Sequence, residues 1–270
     1  MQPAAAAPPS AAGLLPLFAA VVRSEARKLH TVRSTYWLLL AALAANLAVA
    51  ALLGALLPGH MSEQQKTAID SVRVSLGGLH LSQIAAALLG VLAITSEYGT
   101  GMIRATLTAV PQRRLLLAAK ALVLTAVTLA TMTAACLGAY LAFQAFLPAG
   151  DPMHTTLATP GVLRAVTGAG LYLTVLALLG FGLGAVLRSS AGATAALLGI
   201  LFVPTLLAAL LPQSWQDTVG RYLPMNAGDA IYSFRRVAHT LYPWAGAGVL
   251  CLYAAAALAA AFVLVTRRDA

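Results

Sequence analysis

The sequence predicts an all-α integral membrane protein built as a six-transmembrane-helix bundle, and three observations carry that reading. Of its 270 residues, 60% are hydrophobic and only 9% are charged, against roughly 25% charged in an ordinary soluble domain, so polar side chains are too scarce to cover a surface in water. Six apolar runs, at residues 37–57, 76–94, 121–147, 165–187, 191–211 and 244–265, reach the length of about 20 residues needed to cross a hydrocarbon core of roughly 30 Å. None of the six contains Asp, Glu, Lys or Arg, and the charged residues collect between them. The same numbers exclude disorder as the general state of the chain, since that requires low hydrophobicity. A disulfide scaffold is excluded as well, because the only cysteines, Cys136 and Cys251, lie in apolar runs and read as small buried hydrophobes. The net charge of +9 is not read as a nucleic-acid surface, because Lys and Arg flank apolar runs instead of gathering on one soluble face.

Residues 1–13 are Ala/Pro-rich and are expected to be an unstructured tail. They do not resemble a secretory signal, because the positive charges follow the first apolar stretch. Over residues 14–33, Leu14, Phe18, Val22, Ala26 and Leu29 recur every three or four positions while Arg23, Arg27 and His30 fall on another face. That spacing predicts an amphipathic helix with a basic polar side, which also carries Lys28. Such a helix is stabilised along an anionic leaflet or by packing on protein, and the pattern is compatible with both. Residues 34–270 form the six-span domain. His80, near an end of the second run, reads as an interfacial side chain, and the third run is long enough to tilt or to extend past the bilayer.

Orientation follows from the basic residues between the runs. One alternating set of segments holds Arg23, Arg27, Lys28, Arg33, Arg104, Arg113, Arg114, Lys120, Arg188, Arg267 and Arg268, and the other holds Lys66, Arg73, Arg164, Arg221, Arg235 and Arg236. The first set, with both termini, is therefore expected on the cytoplasmic side of the cell membrane. Residues 96–120 form the most informative segment. Glu97 stands at the membrane edge, and Gly99 and Gly101 permit a sharp turn. Residues 102–109 read as a short helix with Thr100 as its N-cap, which Pro111 closes before Arg113, Arg114 and Lys120 mark re-entry. The expected product is a short helix parallel to the membrane, offered to a soluble partner. Farther along, Gly180 and Gly184 form a GxxxG spacing suited to close helix approach, within one subunit or at a seam between two. Pro204 supplies either a hinge or static shape. Residues 212–243, rich in interfacial aromatics, read as short helices in the outer leaflet or as an exposed loop.

Chemistry of its own is not expected from this chain. A phosphate-binding GxxxxGK[ST] loop is missing, the five histidines stand singly, and no span pairs a plausible nucleophilic serine with a histidine base. No catalytic residue, metal site or cofactor is predicted. Ion-driven transport generally places acidic groups near the midplane, where this chain has none. An ion-coupled secondary transporter, or a membrane anchor or assembly subunit, remains the alternative.

Four features together, residues 24–37 (SEARKLHTVRSTYW), residues 97–120 (EYGTGMIRATLTAVPQRRLLLAAK), residues 221–228 (RYLPMNAG) and the six-span layout, resemble an ATP-binding-cassette (ABC) transporter permease of the type-2 export class. The resemblance covers nearly the whole chain, with residues 97–120 its specific part. It implies a permease subunit that pairs with a second one, identical or different, and couples to two copies of a separate ATPase subunit. It assigns Glu97, Gly99, Gly101, Arg104, Pro111 and Arg113 to a coupling helix that docks on the ATPase, and it makes the N-terminal helix, with Phe18, Val22, Arg23, Arg27 and Lys28, an interface helix beside it. Plain membrane anchoring is the competing reading of Arg104, Arg113 and Arg114. The expected cargo is amphipathic, drug-like or lipid-like, and no nucleic acid is expected as a partner.

Overall fold

The computed structural model describes residues 11–109, 112–235 and 240–267, and its secondary structure is helical, with no strand among the described residues. The first described element is α1 (Ala11–Thr31), whose residues 11–13 lie within the stretch expected to be unstructured, while residues 1–10 lie outside the described residues. The six helices long and apolar enough to cross a membrane are α2 (Arg33–Leu56), α5 (Leu79–Gly99), α7 (Arg113–Gln144), α8 (Val162–Leu187), α9 (Ser190–Ala208) and α12 (Pro243–Arg267). Between them stand α3 (Glu63–Ala68), α4 (Ser71–Ser75), α6 (Met102–Ala109), α10 (Gln213–Val219) and α11 (Pro224–Tyr232).

Every expected run falls on a helix, but several helices exceed their runs. The second helix continues to Gly99 and so contains Glu97, the third begins at Arg113 and contains Arg114 and Lys120, and the fourth contains Arg164. The apolar runs mark where lipid is tolerated, whereas backbone hydrogen bonding carries a helix on until a cap or breaker stops it. For α5 that stop is Thr100, whose backbone N–H bonds to Ser96 O, followed by Gly101 at φ +71°. Thr100 thus closes the second span, where N-capping of the next helix was expected. At 32 residues α7 is about 48 Å long, and its start lies beside the end of α12, where the Arg113 guanidinium donates to Val265 O at 3.2 Å.

The fourth span, α8, is the axis of the bundle, packing against α5, α7 and α12. Glycine makes those contacts possible. A Cβ on Gly180 would lie 2.3 Å from Ala87 O, one on Gly184 2.8 Å from Ile94 Cγ2, and one on Gly90 of the facing helix 1.8 Å from Ala177 O. The GxxxG pair therefore closes the α5–α8 joint inside this chain. Gly182 faces Ala257 of α12, and Gly170 faces Thr133 of α7. Tyr172, Leu173, Leu176 and Phe181 of α8 fill the core between these contacts. In contrast, α2 buries only Thr35, Ala42, Asn46, Ala50 and Gly54, one stripe facing α5 and α7. Helix α9 runs through Pro204 to Ala208 and presents Val203, Leu206 and Leu207 outward. Of the two cysteines Cys136 is buried as expected, while Cys251 lies on the exposed face of α12. His80 is exposed.

Short helices occupy two of the connections, including residues 212–243, which were read as short helices or a loop. Residues 58–75 hold a 3-10 turn, α3 and α4, and residues 212–243 hold α10, a 3-10 turn and α11. They are fastened to each other at the end of the bundle opposite Glu97. Asp70 caps α4 through Arg73 N and also accepts the backbone N–H groups of Phe234 and Arg235, both at 2.9 Å. Arg73 pairs with Asp229 at 2.9 Å, Arg164 donates to Ile231 O and Ser233 O, and Lys66 bridges Glu63 and Asp151.

Candidate functional site

At the Glu97 end, charges from three helices meet in one buried network. Glu25 and Lys28 come from α1, Glu97 from the last turn of α5, and Lys120 from the third turn of α7. The Lys120 ammonium donates to Glu25 Oε2 at 2.5 Å and to Glu97 Oε1 at 2.6 Å. Lys28 donates to Glu25 Oε1 at 2.8 Å and to Glu97 Oε1 at 3.2 Å. Glu25, Glu97 and Lys120 are only 5–6% exposed, so these are charge-assisted bonds away from bulk water, where each ion is costly without its partners. Burial opposes the charged form of Lys28, but the adjacent Glu25 and Glu97 carboxylates outweigh it and hold the ammonium above the ordinary lysine value. Two carboxylates and two ammonium groups make the quartet formally neutral. One acceptor is left over: among the described residues Glu97 Oε2 is buried with no hydrogen-bond partner.

The network borders a cleft of about 280 Å³. Its apolar wall includes Leu89, Leu92 and Val123, and its polar wall includes Thr35, Ser96 and Thr100. On the far side of α1, Phe18 and Val22 pack with Leu17 and Val21 against Ile103 of α6 and Leu116 and Ala119 of α7. The apolar stripe of the N-terminal helix thus lies on protein, while Arg23 and Arg27 are exposed. Helix α6 leaves the bundle directly beyond the quartet. The left-handed backbone at Gly101 makes the turn, Ile103 anchors the new helix, and Met102 is half exposed. Nothing lies within 4 Å of a Cβ built on Gly99 or Gly101, so conformation and not crowding requires glycine at 101. The Arg188 guanidinium, at the end of α8, stacks over the Tyr98 ring at 5.2 Å.

The structure therefore gathers Glu97, Gly99, Gly101, Arg113 and the α1 residues Phe18, Val22, Arg23, Arg27 and Lys28 at one end of the bundle, and it places Gly180 and Gly184 at the α5–α8 joint. Arg104 belongs to α6, but its side chain lies outside the described residues, as do Pro111 and Arg236 entirely. Sequence reasoning missed Glu25 and the role of Lys120. The available signal was local: Glu25 and Lys28 stand three apart on a helix whose other charged positions are basic, and Lys120 is the only lysine on the re-entering helix. Two polar contacts within the spans were also missed. Asn46 donates to Ser82 Oγ at 2.5 Å, joining α2 to α5, and Tyr172 donates to Gln83 Oε1 at 2.6 Å, joining α8 to α5. No protein-family model matches this chain, and no curated protein matches it.

Proposed function

We propose that this chain is the permease subunit of an ATP-driven exporter of the ABC type-2 class, and that α6 is the handle through which a separate ATPase subunit drives it. The observation that carries the reading is the position of α6. It is an eight-residue helix projecting through a left-handed glycine from the point where α1, α5 and α7 are pinned together by Glu25, Lys28, Glu97 and Lys120. A displacement of α6 is then transmitted to three helices at once, which suits a rigid lever with two positions. Glu97 is buried in this arrangement, so its part in coupling is to hold α6 in place, and docking falls to the exposed surface of α6 and of α1 around Arg23 and Arg27.

The basic end is the cytoplasmic one in this reading, in keeping with the excess of Lys and Arg there. The outward apolar faces of α2, α9 and α12 leave room for both lipid and a second permease subunit, identical or different. Cargo is amphipathic, drug-like or lipid-like, since the spans offer no charged side chain at mid-depth to a strongly charged solute. Tagged protein purified from its native membrane should carry a P-loop ATPase with it, and changing the Walker lysine of that ATPase should abolish transport. Uphill transport by the isolated chain in vesicles, driven by an ion gradient with no nucleotide present, is the result that would replace this reading with a secondary transporter.

A further inference from the structure

The structure assigns the open groove between the start of α1, the first turn of α7 and the end of α12 to one anionic phospholipid, its phosphate on Arg113 and Arg114 and an acyl chain along Leu15, Phe18 and Leu115. The inference needs only that the six apolar helices cross a bilayer, so it stands apart from the transport reading. Two of the three walls are ends of such helices. Thr266 directly follows the apolar run of α12, and Arg113 and Arg114 directly precede the apolar residues Leu115, Leu116 and Leu117 of α7. The Arg113 guanidinium donates to Val265 O at 3.2 Å, which sets both helix ends at one level. Where two neighbouring spans pass from apolar residues to arginine, the adjoining solvent is the lipid headgroup layer.

Charge decides the kind of lipid. The groove, about 630 Å³, is lined by two arginines and by no carboxylate. Glu25 and Glu97, the nearby described carboxylates, are both held by Lys28 and Lys120, and neither pairs with the exposed Arg114. Guanidinium forks match phosphate oxygens, and Gln112 brings a neutral amide donor to the same space. No side chain caps the start of α7, so the helix end adds positive field in the same direction. The remaining wall is apolar: Leu15 is 77% exposed, Phe18 and Leu115 are half-buried, and an acyl chain lying there removes their surface from water. A free phosphate would meet the arginines and leave that wall uncovered. A zwitterionic lipid would cover the wall but bring a cationic headgroup towards the arginines. An acidic lipid satisfies both, as basic pockets between membrane helices do elsewhere.

The test is native mass spectrometry of the full chain in detergent micelles, titrated with phosphatidylglycerol and with phosphatidylcholine of the same acyl chains. One phosphatidylglycerol per chain is expected to bind roughly tenfold or more tightly than the first phosphatidylcholine, and inorganic phosphate should not displace it. Arg114→Gln should weaken it about fivefold, and Arg113→Gln with Arg114→Gln about thirtyfold, the losses expected for one and two basic side chains at a lipid surface. Leu15→Glu, which sets a carboxylate in the groove, should weaken it at least as much as Arg114→Gln. Arg33→Gln makes the same charge change at the same end but outside the groove, and should alter binding less than about twofold. Should the double variant fail to fold, Arg114→Gln and Leu15→Glu, both at exposed positions, decide. Equal retention of the two lipids, displacement by inorganic phosphate, or an Arg33→Gln effect equal to that of Arg114→Gln would each overturn the assignment. A benzophenone attached through Leu15→Cys, in a Cys251→Ser background and in native membranes, should label lipid; labelling of an ATPase subunit or of a second copy of this chain in its place would overturn the assignment and give the groove to protein.

Discussion

The two ends of the bundle use charge in opposite ways. At the Glu97 end, four ionised side chains from α1, α5 and α7 bond almost wholly to one another, three of them 5–6% exposed, around an open cleft. At the Asp70 end the charged groups are more exposed and spend much of their capacity on backbone atoms. Asp70 holds Phe234 N and Arg235 N, Arg164 holds Ile231 O and Ser233 O, and Asp151 holds Met153 N. Side-chain bonds to backbone fasten a connection in one shape. A quartet made only of side chains joins rigid helices that can be repositioned as units, and its strength depends on every member being present.

That contrast can be broken most directly at Lys120. Lys120→Met leaves two buried carboxylates sharing the single ammonium of Lys28, and loss of one partner from a buried ion pair costs about 3–5 kcal/mol. Reversible unfolding in mixed micelles should show a loss of that order, whereas Arg73→Ala at the other end, where the arginine is 43% exposed, should cost about 0–1 kcal/mol. Equal losses would mean that the two ends do not differ in kind. The joint between them comes next in size. Gly90→Val forces a side chain where even a Cβ would meet Ala177 O, and overpacking of this sort costs about 1–3 kcal/mol; its signature is a lower thermal midpoint with membrane insertion unchanged.

Asp70→Ala should be milder, about 1 kcal/mol for a lost helix cap. Its effect should also be local, with faster amide exchange at Phe234 and Arg235 and none at the quartet. The smallest effect is a pH dependence. Burial alone would raise the Asp151 carboxyl, but the Met153 N–H and the Lys66 ammonium outweigh it and hold the group below its ordinary value of 3.8. A depressed carboxyl contributes stability that is complete above its unfolded value and disappears as pH falls through the folded one. Acid titration of Asp151→Asn should therefore show a shallower decline of the thermal midpoint below about pH 4 than the parent chain shows, and identical slopes would remove Asp151 from the fastening of that end.

Much of the fold was legible because lipid imposes a simple rule: a helix of about 20 apolar residues with its backbone internally bonded. Each of the six runs landed on a helix, and the short helix expected over residues 102–109 is α6 itself. The helix ends were less legible. Glu97 and Lys120 were expected at membrane edges, yet both lie inside helices, since a charged residue near an interface is compatible with a helix that goes on. The pairing that defines the candidate site was not legible either. Glu25 and Lys120 are 95 positions apart, and nothing in either neighbourhood indicates that α1 lies beside α7. The GxxxG spacing announced close packing without naming the partner, and the partner is α5.

The amino-acid sequence by itself determined the number of helices long and apolar enough to cross a membrane, and the breaks at Gly101 and between those helices, because each depends on residues adjacent in the chain. Only the tertiary structure decided which span is central and which ions meet. Helices α8 and α9 have nearly the same mean hydropathy, 2.1 and 2.0, yet 72% of one span window is buried in protein and 17% of the other. Hydropathy records that a side chain leaves water, and lipid and a neighbouring helix satisfy that requirement equally. The choice between them is made by surface shape, by where glycine lets two backbones approach, and by which buried charges can find a partner.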